Sequence, residues 1–211
     1  MDFPIVSYTN LIILVTVVVS LIAYERKHIF VMLSFQPYFI KRNPKEAIRF
    51  ITCAFVHADI FHLFFNMYVL YSFGNPLEYF FKSHFDSRGI FIYSLLYFGG
   101  ALFSGLPGFA RHKDNPAYLS IGASGAVSAL VFSYIVLNPD GGMGIIFLPI
   151  FIPALYFGLI YLAIEYYLDK RGGSRIAHDA HFWGAIFGVV FTLFVDTDFA
   201  VSFIEQVKQM F

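Results

Sequence analysis

Hydrophobic residues dominate six long stretches of the chain, and shorter polar stretches separate them. An α-helix rises about 1.5 Å per residue, so about 20 apolar residues cross the roughly 30 Å hydrocarbon core of a bilayer. The chain has no internal repeat. The pattern therefore predicts one domain, residues 1–211, whose spans cover residues 8–24, 60–81, 89–106, 122–137, 144–168 and 180–194.

Proline and glycine fall between these segments, where helices are expected to end. Pro107-Gly108 is predicted to end the third segment, residues 138–142 (Asn-Pro-Asp-Gly-Gly) the fourth, and residues 171–174 (Arg-Gly-Gly-Ser) the fifth. Asp59 is placed to cap the start of the second helix, because its carboxylate can accept hydrogen bonds from free backbone N–H groups.

The first loop, residues 25–58, mixes aromatic and aliphatic residues with lysine and arginine. Such amphipathic sequence usually lies along the membrane interface rather than crossing it. We therefore expect a long interfacial first loop, into which the first helix could extend toward Leu33.

The fourth segment holds about 16 residues, or about 24 Å of helix, and is too short to cross the hydrocarbon core alone. Its Gly122 end is therefore expected below the membrane surface. Non-helical backbone at that depth is tolerated only where protein or water surrounds it. The preceding loop, residues 108–121, is thus expected to line a water-filled cavity with Ser124 at its floor.

Composition supports a membrane protein. The chain is 58% hydrophobic and 13% charged, whereas a soluble domain is about 25% charged. The lipid bilayer is therefore the expected surrounding, and a formal net charge of zero predicts no bulk attraction for nucleic acid. Cys53 is the one cysteine, so it cannot form an internal disulfide, and we expect it to be a small buried residue.

Ser124 lies in the cluster Gly122-Ala123-Ser124-Gly125, at the predicted start of the fourth helix. Free backbone N–H groups and the positive end of the helix dipole can stabilise an oxyanion at such a place. A serine in a membrane helix can also be an ordinary small contact residue, which is the interpretation we give Ser128.

His181 begins a helical stripe that continues with Gly184 and Gly188 at spacings i, i+3 and i+7. A Gly-x-x-x-Gly pattern lets another helix approach closely, and the fourth segment has a matching small face that includes Gly125. If these faces pack, the His181 imidazole comes within hydrogen-bond reach of the Ser124 hydroxyl, as a base must for its nucleophile. A histidine bonded only within the core is the simpler alternative.

His62 and Asn66 share one face of the second helix, at i and i+4. Either side chain could donate a hydrogen bond to an oxyanion, and either could instead tie helices together. His57 lies just before Asp59 and is expected to brace the loop. Glu78 lies about 18 Å further along the helix than Asn66, so a structural role near the opposite membrane surface is expected.

Three motifs follow one another in the chain: Thr52-x-x-Phe55-x-His57-x4-His62-x-x-Phe65-Asn66-Met67, then Gly122-Ala123-Ser124-Gly125, then Ala180-His181-x-x-Gly184-x3-Gly188. In order and spacing they resemble the rhomboid intramembrane serine proteases. The resemblance covers nearly the whole chain. It implies an all-α membrane protein, a six-transmembrane-helix rhomboid-like bundle with a long interfacial first loop.

The resemblance also implies a serine endopeptidase that cleaves single-span membrane proteins where their helix unwinds, with no metal or other cofactor. Ser124 would be the nucleophile and His181 the general base, without an acidic third member. The backbone N–H of Ser124 would bind the oxyanion together with His62 and Asn66, beside Gly122. The fifth segment and its loops would admit the substrate. The residues with a supporting structural role would be His57, Gly125, Gly184 and Gly188.

Two positions depart from the family pattern. Many members carry Trp-Arg in the first loop, where this chain has Ile48-Arg49, so a looser loop is expected. Some members have a tyrosine, one turn after the nucleophile, that stacks on the catalytic histidine. Ser128 occupies that position here, so we expect a tyrosine or phenylalanine elsewhere to orient His181.

The membrane orientation is predicted differently by two arguments. In the family both termini lie in the cytoplasm and the cavity opens on the other side. Eleven of the fourteen lysine and arginine residues lie in the first, third and fifth loops, which favours the reverse orientation. Because much of the first loop is expected to be interfacial, we keep the family topology and expect a multi-pass protein of the cell's inner or plasma membrane.

Two other functions stay open. A non-catalytic rhomboid-like protein would bind membrane helices without cutting them, but such proteins usually lack the serine or the histidine. A metal-dependent hydrolase or transporter could use the histidines at 57, 62, 178 and 181. This chain has no His-Glu-x-x-His motif, and its spacings match no common zinc site. His178 and Asp179 precede the glycine stripe and are expected in a loop.

Overall fold

The fold is a bundle of helices with one short β-hairpin, and the computed structural model describes residues 7–144, 150–172 and 177–211. The helices are α1 (Tyr8–Glu25), α2 (Lys27–Leu33), α3 (Pro37–Arg42), α4 (Arg49–Thr52), α5 (Ile60–Val69), α6 (Asn75–Phe85), α7 (Gly89–His112), α8 (Ser124–Leu137), α9 (Ala154–Arg171), α10 (His178–Val195) and α11 (Thr197–Gln209). The strands are β1 (Gly142–Gly144) and β2 (Phe151–Pro153), which pair antiparallel.

Three helical stretches in the described part of the chain are long and apolar enough to cross a membrane: Tyr8–Glu25, Ile60–His112 and His178–Val195. The second of these contains α5, α6 and α7. Helix α8 is apolar but shorter, as the sequence predicts. An all-α membrane fold is therefore confirmed. The count of six membrane spans stays a prediction.

The third predicted segment does not end at Pro107-Gly108, because α7 continues through both residues to His112. A proline inside a helix removes one backbone hydrogen bond and usually kinks or breaks the helix. Here Ser104 and Gly108 are buried on either side of Pro107. We infer that packing against neighbouring elements offsets the lost hydrogen bond, so the sequence rule gave the wrong end.

The fifth predicted segment, residues 144–168, begins too early. Its helix α9 starts at Ala154, and Gly142–Gly144 pairs with Phe151–Pro153 as a β-hairpin instead. Pro153 disfavours helical backbone at the residue before it, which explains why the helix cannot start sooner. Residues 145–149 of this segment, and 173–176 at its predicted terminator, lie outside the described residues.

The sixth segment begins earlier than predicted. His178 and Asp179 form the first turn of α10, where both are buried, so their placement in a loop was wrong. An aspartate in the first turn is favourable because the helix N-terminus carries partial positive charge. Helix α11 was not predicted at all. It is amphipathic, and the Asp196 side chain caps it by accepting a hydrogen bond from the Asp198 N–H.

The first loop folds into short helices and turns, with a break at Arg26 between α1 and α2. Arg49 is buried, and its guanidinium donates to the backbone oxygens of Val31 and Ser34. Ile48, which stands where many family members have tryptophan, is exposed. Buried hydrogen bonds from Arg49 therefore hold this loop together without a tryptophan beside it.

Asp59 and Glu78 both have the structural roles that the sequence predicts. The Asp59 carboxylate accepts from the backbone N–H of His62 at the start of α5, 2.8 Å away, which confirms its role as a cap. The buried Glu78 carboxylate accepts from the backbone N–H groups of Tyr8 and Thr9 at 3.0 and 2.7 Å. Glu78 is therefore structural, because it satisfies free N–H groups at the start of α1.

Small residues bring α8 and α10 into backbone contact. A side chain at Gly184 would collide with the carbonyl oxygen of Gly125, and one at Gly188 with the carbonyl oxygen of Ala129. One turn further, the Thr192 hydroxyl donates to Ser133 Oγ at 2.8 Å. The predicted packing of the glycine stripe on the small face of the fourth segment is confirmed, and it fixes how the two helices approach each other.

Candidate active site

Ser124 is the first residue of α8 and is half-buried. The chain enters this helix through Gly122, whose φ of +108° is a conformation that glycine adopts far more easily than other residues. The Gly122 N–H donates to the Cys53 carbonyl at 2.9 Å, which ties the turn to the first loop. As the first helical residue, Ser124 has a backbone N–H without an acceptor inside the helix.

His181 lies in the first turn of α10, and its Nε2 is 2.7 Å from Ser124 Oγ. This contact requires the close approach of α8 and α10, which Gly184 permits because a side chain there would meet the backbone of Gly125. The hydroxyl and the imidazole are therefore in the geometry of a nucleophile and its general base.

A cavity of about 950 Å³ reaches this pair from one side. Its wall includes Ser124, His181, His62, Asn66 and Gly122. The five residues that the sequence assigns to catalysis or oxyanion binding thus share one cavity. Cys53 also lines it and is half-buried, which differs from the expected small buried residue.

The His62 imidazole lies against Gly122. A side chain at position 122 would come within 2.9 Å of His62 Nε2, so glycine is needed for this approach. The Ala58 N–H donates weakly to His62 Nδ1 at 3.4 Å. This assigns the proton to Nε2, which faces the turn before Ser124 and can donate there.

Asn66 lies one turn after His62 on α5 and is buried. Its Nδ2 donates to the His62 backbone oxygen at 2.9 Å. A side-chain amide has two N–H groups, so the second one can donate into the cavity. The positions of His62 and Asn66 fit oxyanion donors, while that role itself stays a prediction.

His57 is fully buried and makes two hydrogen bonds, which a third bond from Ser20 extends. The Ala123 N–H donates to its Nε2 at 3.3 Å, and its Nδ1 lies 3.0 Å from Ser20 Oγ. Because the Ser20 hydroxyl donates to the Phe55 carbonyl at 2.9 Å, it accepts from a protonated Nδ1. A neutral His57 therefore satisfies all of these partners, and it braces the turn that carries Ser124.

Burial lowers the pKa of His57 from 6.5 to about 3, and the neighbouring His62 contributes in the same direction. Below about pH 6.5 the unfolded chain binds a proton that the folded protein does not. Stability from this group is therefore complete above pH 6.5 and falls as the pH falls toward 3.

His57→Gln removes this pH-dependent group. We expect the thermal midpoint in detergent to fall less between about pH 7.5 and pH 5 in His57→Gln than in the wild type. Equal losses in both proteins would contradict this account.

Sequence reasoning missed Glu165, a buried residue of α9. Its Oε1 lies 3.1 Å from His181 Nδ1, and its Oε2 lies 2.6 Å from His178 Nδ1. The signal was present, since an ionisable residue inside an apolar segment is a functional candidate by default. The ring contact that the structure records for His181 is with His178. Among the described residues, the expected tyrosine or phenylalanine is not in ring contact with His181, and a carboxylate lies at its Nδ1 instead.

Glu165, His178 and His181 could also hold a metal ion, because their candidate ligand atoms lie within 4.8 Å of one another. This is the one group of three such ligands among residues 7–144, 150–172 and 177–211. His57 and His62 are not part of it, so the structure does not gather the four histidines of the metal hypothesis. Hydrogen bonds already join Glu165 to His178 and to His181, and these bonds explain why the three side chains lie together.

A second cavity of about 760 Å³ meets the first at Ser124 and Asn66. It is a mostly apolar groove between α5, α8, α9 and the hairpin, and its aromatic lining includes Phe65, Phe132, Phe151, Phe157 and Tyr161. The Tyr161 hydroxyl lies 3.1 Å from Ser128 Oγ, so Ser128 links α8 to α9 across this groove.

Comparison with known proteins bears on the family of this chain. The sequence profile of the Rhomboid domain matches residues 44–196, which is more than half of the chain. The chain belongs to the rhomboid family. Its similar relatives include the RHOMBOID-like protein 12, mitochondrial, of Arabidopsis thaliana, which is 30% identical over 64% of this chain.

The presenilin-associated rhomboid-like proteins, mitochondrial, of Mus musculus and Homo sapiens are 28% and 29% identical over 64% of this chain. The matches cover 42% of the Arabidopsis protein and 34% of each mammalian protein. This rhomboid chain therefore spans less than half the length of these relatives.

Proposed function

We propose that this rhomboid is an intramembrane serine endopeptidase that cleaves single-span membrane proteins. The observation that carries the proposal is the 2.7 Å contact between Ser124 Oγ and His181 Nε2 in a cavity with further hydrogen-bond donors. A rhomboid-like protein that only binds helices has no need for this contact.

The proposed reaction begins when the Ser124 hydroxyl oxygen attacks the carbonyl carbon of the scissile peptide bond. Its proton passes to Nε2 of His181, which lies within hydrogen-bond distance. The proton then moves from His181 to the leaving amine nitrogen as the C–N bond breaks. Water, activated by the same imidazole, hydrolyses the acyl ester and restores Ser124.

The oxyanion formed in each half of the reaction has three proposed donors. They are the backbone N–H of Ser124, Nε2–H of His62 and the second Nδ2–H of Asn66. The first turn of α8 adds the positive end of a helix dipole. Donors fixed before the reaction stabilise developing charge more effectively than water, because they need no reorganisation.

The apolar groove is the proposed path for the substrate. Its aromatic lining suits the side chains of a membrane helix, and it ends at Ser124. A helical peptide bond is protected by its own backbone hydrogen bonds, so the segment to be cut has to unwind before it reaches the polar cavity. We propose that α9 and the hairpin form one side of this path.

We also propose an orientation and a membrane for this protein. This is a membrane protein, and we propose the family arrangement, with the cavity opening away from the cytoplasm. The predicted cell inner or plasma membrane stays a proposal. The relatives are named mitochondrial, which indicates a different compartment for those proteins.

The proposal is tested by incubating the purified protein in detergent with a fluorescent single-span substrate. We expect one internal peptide bond to be cut, and we expect a fluorophosphonate probe to label the protein. A folded protein that binds the substrate helix without cutting it, and that does not react with the probe, would favour the non-catalytic alternative.

Removal of divalent metal ions is expected to leave the cleavage rate unchanged, because the proposed steps use only a hydroxyl, an imidazole and hydrogen-bond donors. Cleavage is measured before and after dialysis against a strong chelator. Loss of activity that zinc restores would favour the metal-dependent alternative instead, with Glu165, His178 and His181 as its ligands.

A further inference from the structure

Four side chains from three helices form one continuous line of hydrogen bonds. It runs from His178 Nδ1 to Glu165 Oε2 at 2.6 Å, from Glu165 Oε1 to His181 Nδ1 at 3.1 Å, and from His181 Nε2 to Ser124 Oγ at 2.7 Å. Along this line a carboxylate is followed by an imidazole and a hydroxyl. A second imidazole is hydrogen-bonded to the other carboxylate oxygen.

The Glu165 carboxylate fixes which nitrogen of His181 carries the proton. A carboxylate accepts hydrogen bonds, so the contact at Oε1 assigns the proton of neutral His181 to Nδ1. Nε2 then has a free lone pair facing the Ser124 hydroxyl, as a general base requires. With the proton on Nε2 instead, His181 could not accept the serine proton.

Glu165 is itself held tightly in place. It is 8% exposed, and both carboxylate oxygens have an imidazole partner. An ionised group this buried is costly unless it is paired and hydrogen-bonded. When His181 takes up the Ser124 proton, the carboxylate next to the new imidazolium gains a favourable charge interaction.

We propose that Glu165 is a positioning residue for His181 and that His178 holds Glu165 in place. The proposal rests on the proposed peptidase function and adds an acidic third member to the serine–histidine pair. It also explains how His181 is oriented although Ser128 replaces the stacking tyrosine found in some rhomboids.

A purely structural role for Glu165 is the competing explanation, since the same contacts attach α9 to α10. The chain offers a matched control for it. Asp169 lies one turn after Glu165 on α9 and also attaches this helix to a neighbour, through bonds of 2.7 and 3.1 Å to Arg111 of α7. Asp169→Asn therefore weakens the attachment of α9 without touching His181.

The experiment compares Glu165→Gln, Asp169→Asn and Ser124→Ala with the wild type. It measures kcat and KM on the single-span substrate, the labelling rate with a fluorophosphonate, and the thermal midpoint. Labelling reports the activation of Ser124 without the passage of a substrate helix. We expect Glu165→Gln to lower kcat and the labelling rate about 10²-fold or more, since loss of the equivalent charge is severe in soluble serine proteases. KM and the thermal midpoint are expected to change little.

Asp169→Asn is expected to stay within about two-fold of the wild type, a change of less than 1 kcal/mol in barrier height. Wild-type rates in Glu165→Gln, beside an inactive Ser124→Ala, would overturn the positioning role and leave the peptidase proposal intact. Full activity in Ser124→Ala would overturn the peptidase proposal itself. Equal losses of activity and thermal midpoint in Glu165→Gln and Asp169→Asn would mean that Glu165 only attaches α9 to α10 and does not position His181.

The wild-type protein allows a test that depends on no variant at position 165. Nitrogen-15 spectra of the histidine-labelled protein report which ring nitrogen is protonated, and His181→Gln assigns the His181 signals. We expect a proton on Nδ1 and none on Nε2 near neutral pH. The opposite tautomer would overturn the proposal.

Discussion

Ser124→Ala is expected to abolish cleavage, with a fall in kcat of about 10³-fold or more, because no other group can form the acyl ester. His181→Gln is expected to do the same, because the serine proton then has no acceptor 2.7 Å from Ser124 Oγ. The double variant is expected to be no slower than either single variant, since the two residues act as a unit. Cleavage of the single-span substrate under single-turnover conditions provides the measurement.

The matched control is Ser133→Ala, which makes the same change on the same helix, away from both cavities. Ser133 accepts a hydrogen bond from Thr192, so its loss is expected to cost about 1 kcal/mol of stability and to leave kcat near the wild-type value. A Ser124→Ala protein that still cleaves as fast as Ser133→Ala would disprove the role of Ser124.

Gly184→Val is expected to destroy both the fold of the site and its activity. Any side chain at this position meets the carbonyl oxygen of Gly125, which is backbone and cannot move aside without shifting α8. Overpacking of this kind costs about 1–3 kcal/mol or more. The same displacement separates His181 from Ser124, so fluorophosphonate labelling and the thermal midpoint are expected to fall together.

Val190→Leu is the control, because it enlarges a side chain on the exposed face of the same helix. This variant is expected to keep the labelling rate and the thermal midpoint of the wild type. A Gly184→Val protein with unchanged labelling would mean that the contact between the two helices does not set the distance between Ser124 and His181.

The pairing of Ser124 with His181 could be predicted because it depends on local patterns that survive in the tertiary structure. Glycine spacing marks where helices approach closely, and a Gly-Ala-Ser-Gly cluster marks a helix start with free N–H groups. The cap at Asp59 could be predicted for the same reason. Each of these features involves neighbours on one helix or one repeated small face.

Glu165 could not be placed from sequence, because its partners come from another helix and their contact depends on how α9 is rotated. The start of α9 at Ala154 was also misplaced, since a hairpin that pairs Gly142–Gly144 with Phe151–Pro153 interrupts an otherwise apolar run. The error at Pro107 has a similar origin. A local helix-breaking tendency gave way to tertiary packing, which no single segment contains.

The central claim is that Ser124 Oγ is a nucleophile activated by His181, and locating a covalent adduct tests it most directly. The wild-type protein is treated with a fluorophosphonate in detergent, digested and examined by mass spectrometry, with His181→Gln in parallel. We predict one phosphonylated residue, Ser124, in the wild type and a labelling rate at least about 10²-fold lower in His181→Gln. An adduct on another residue, or equal labelling in the two proteins, would contradict the account.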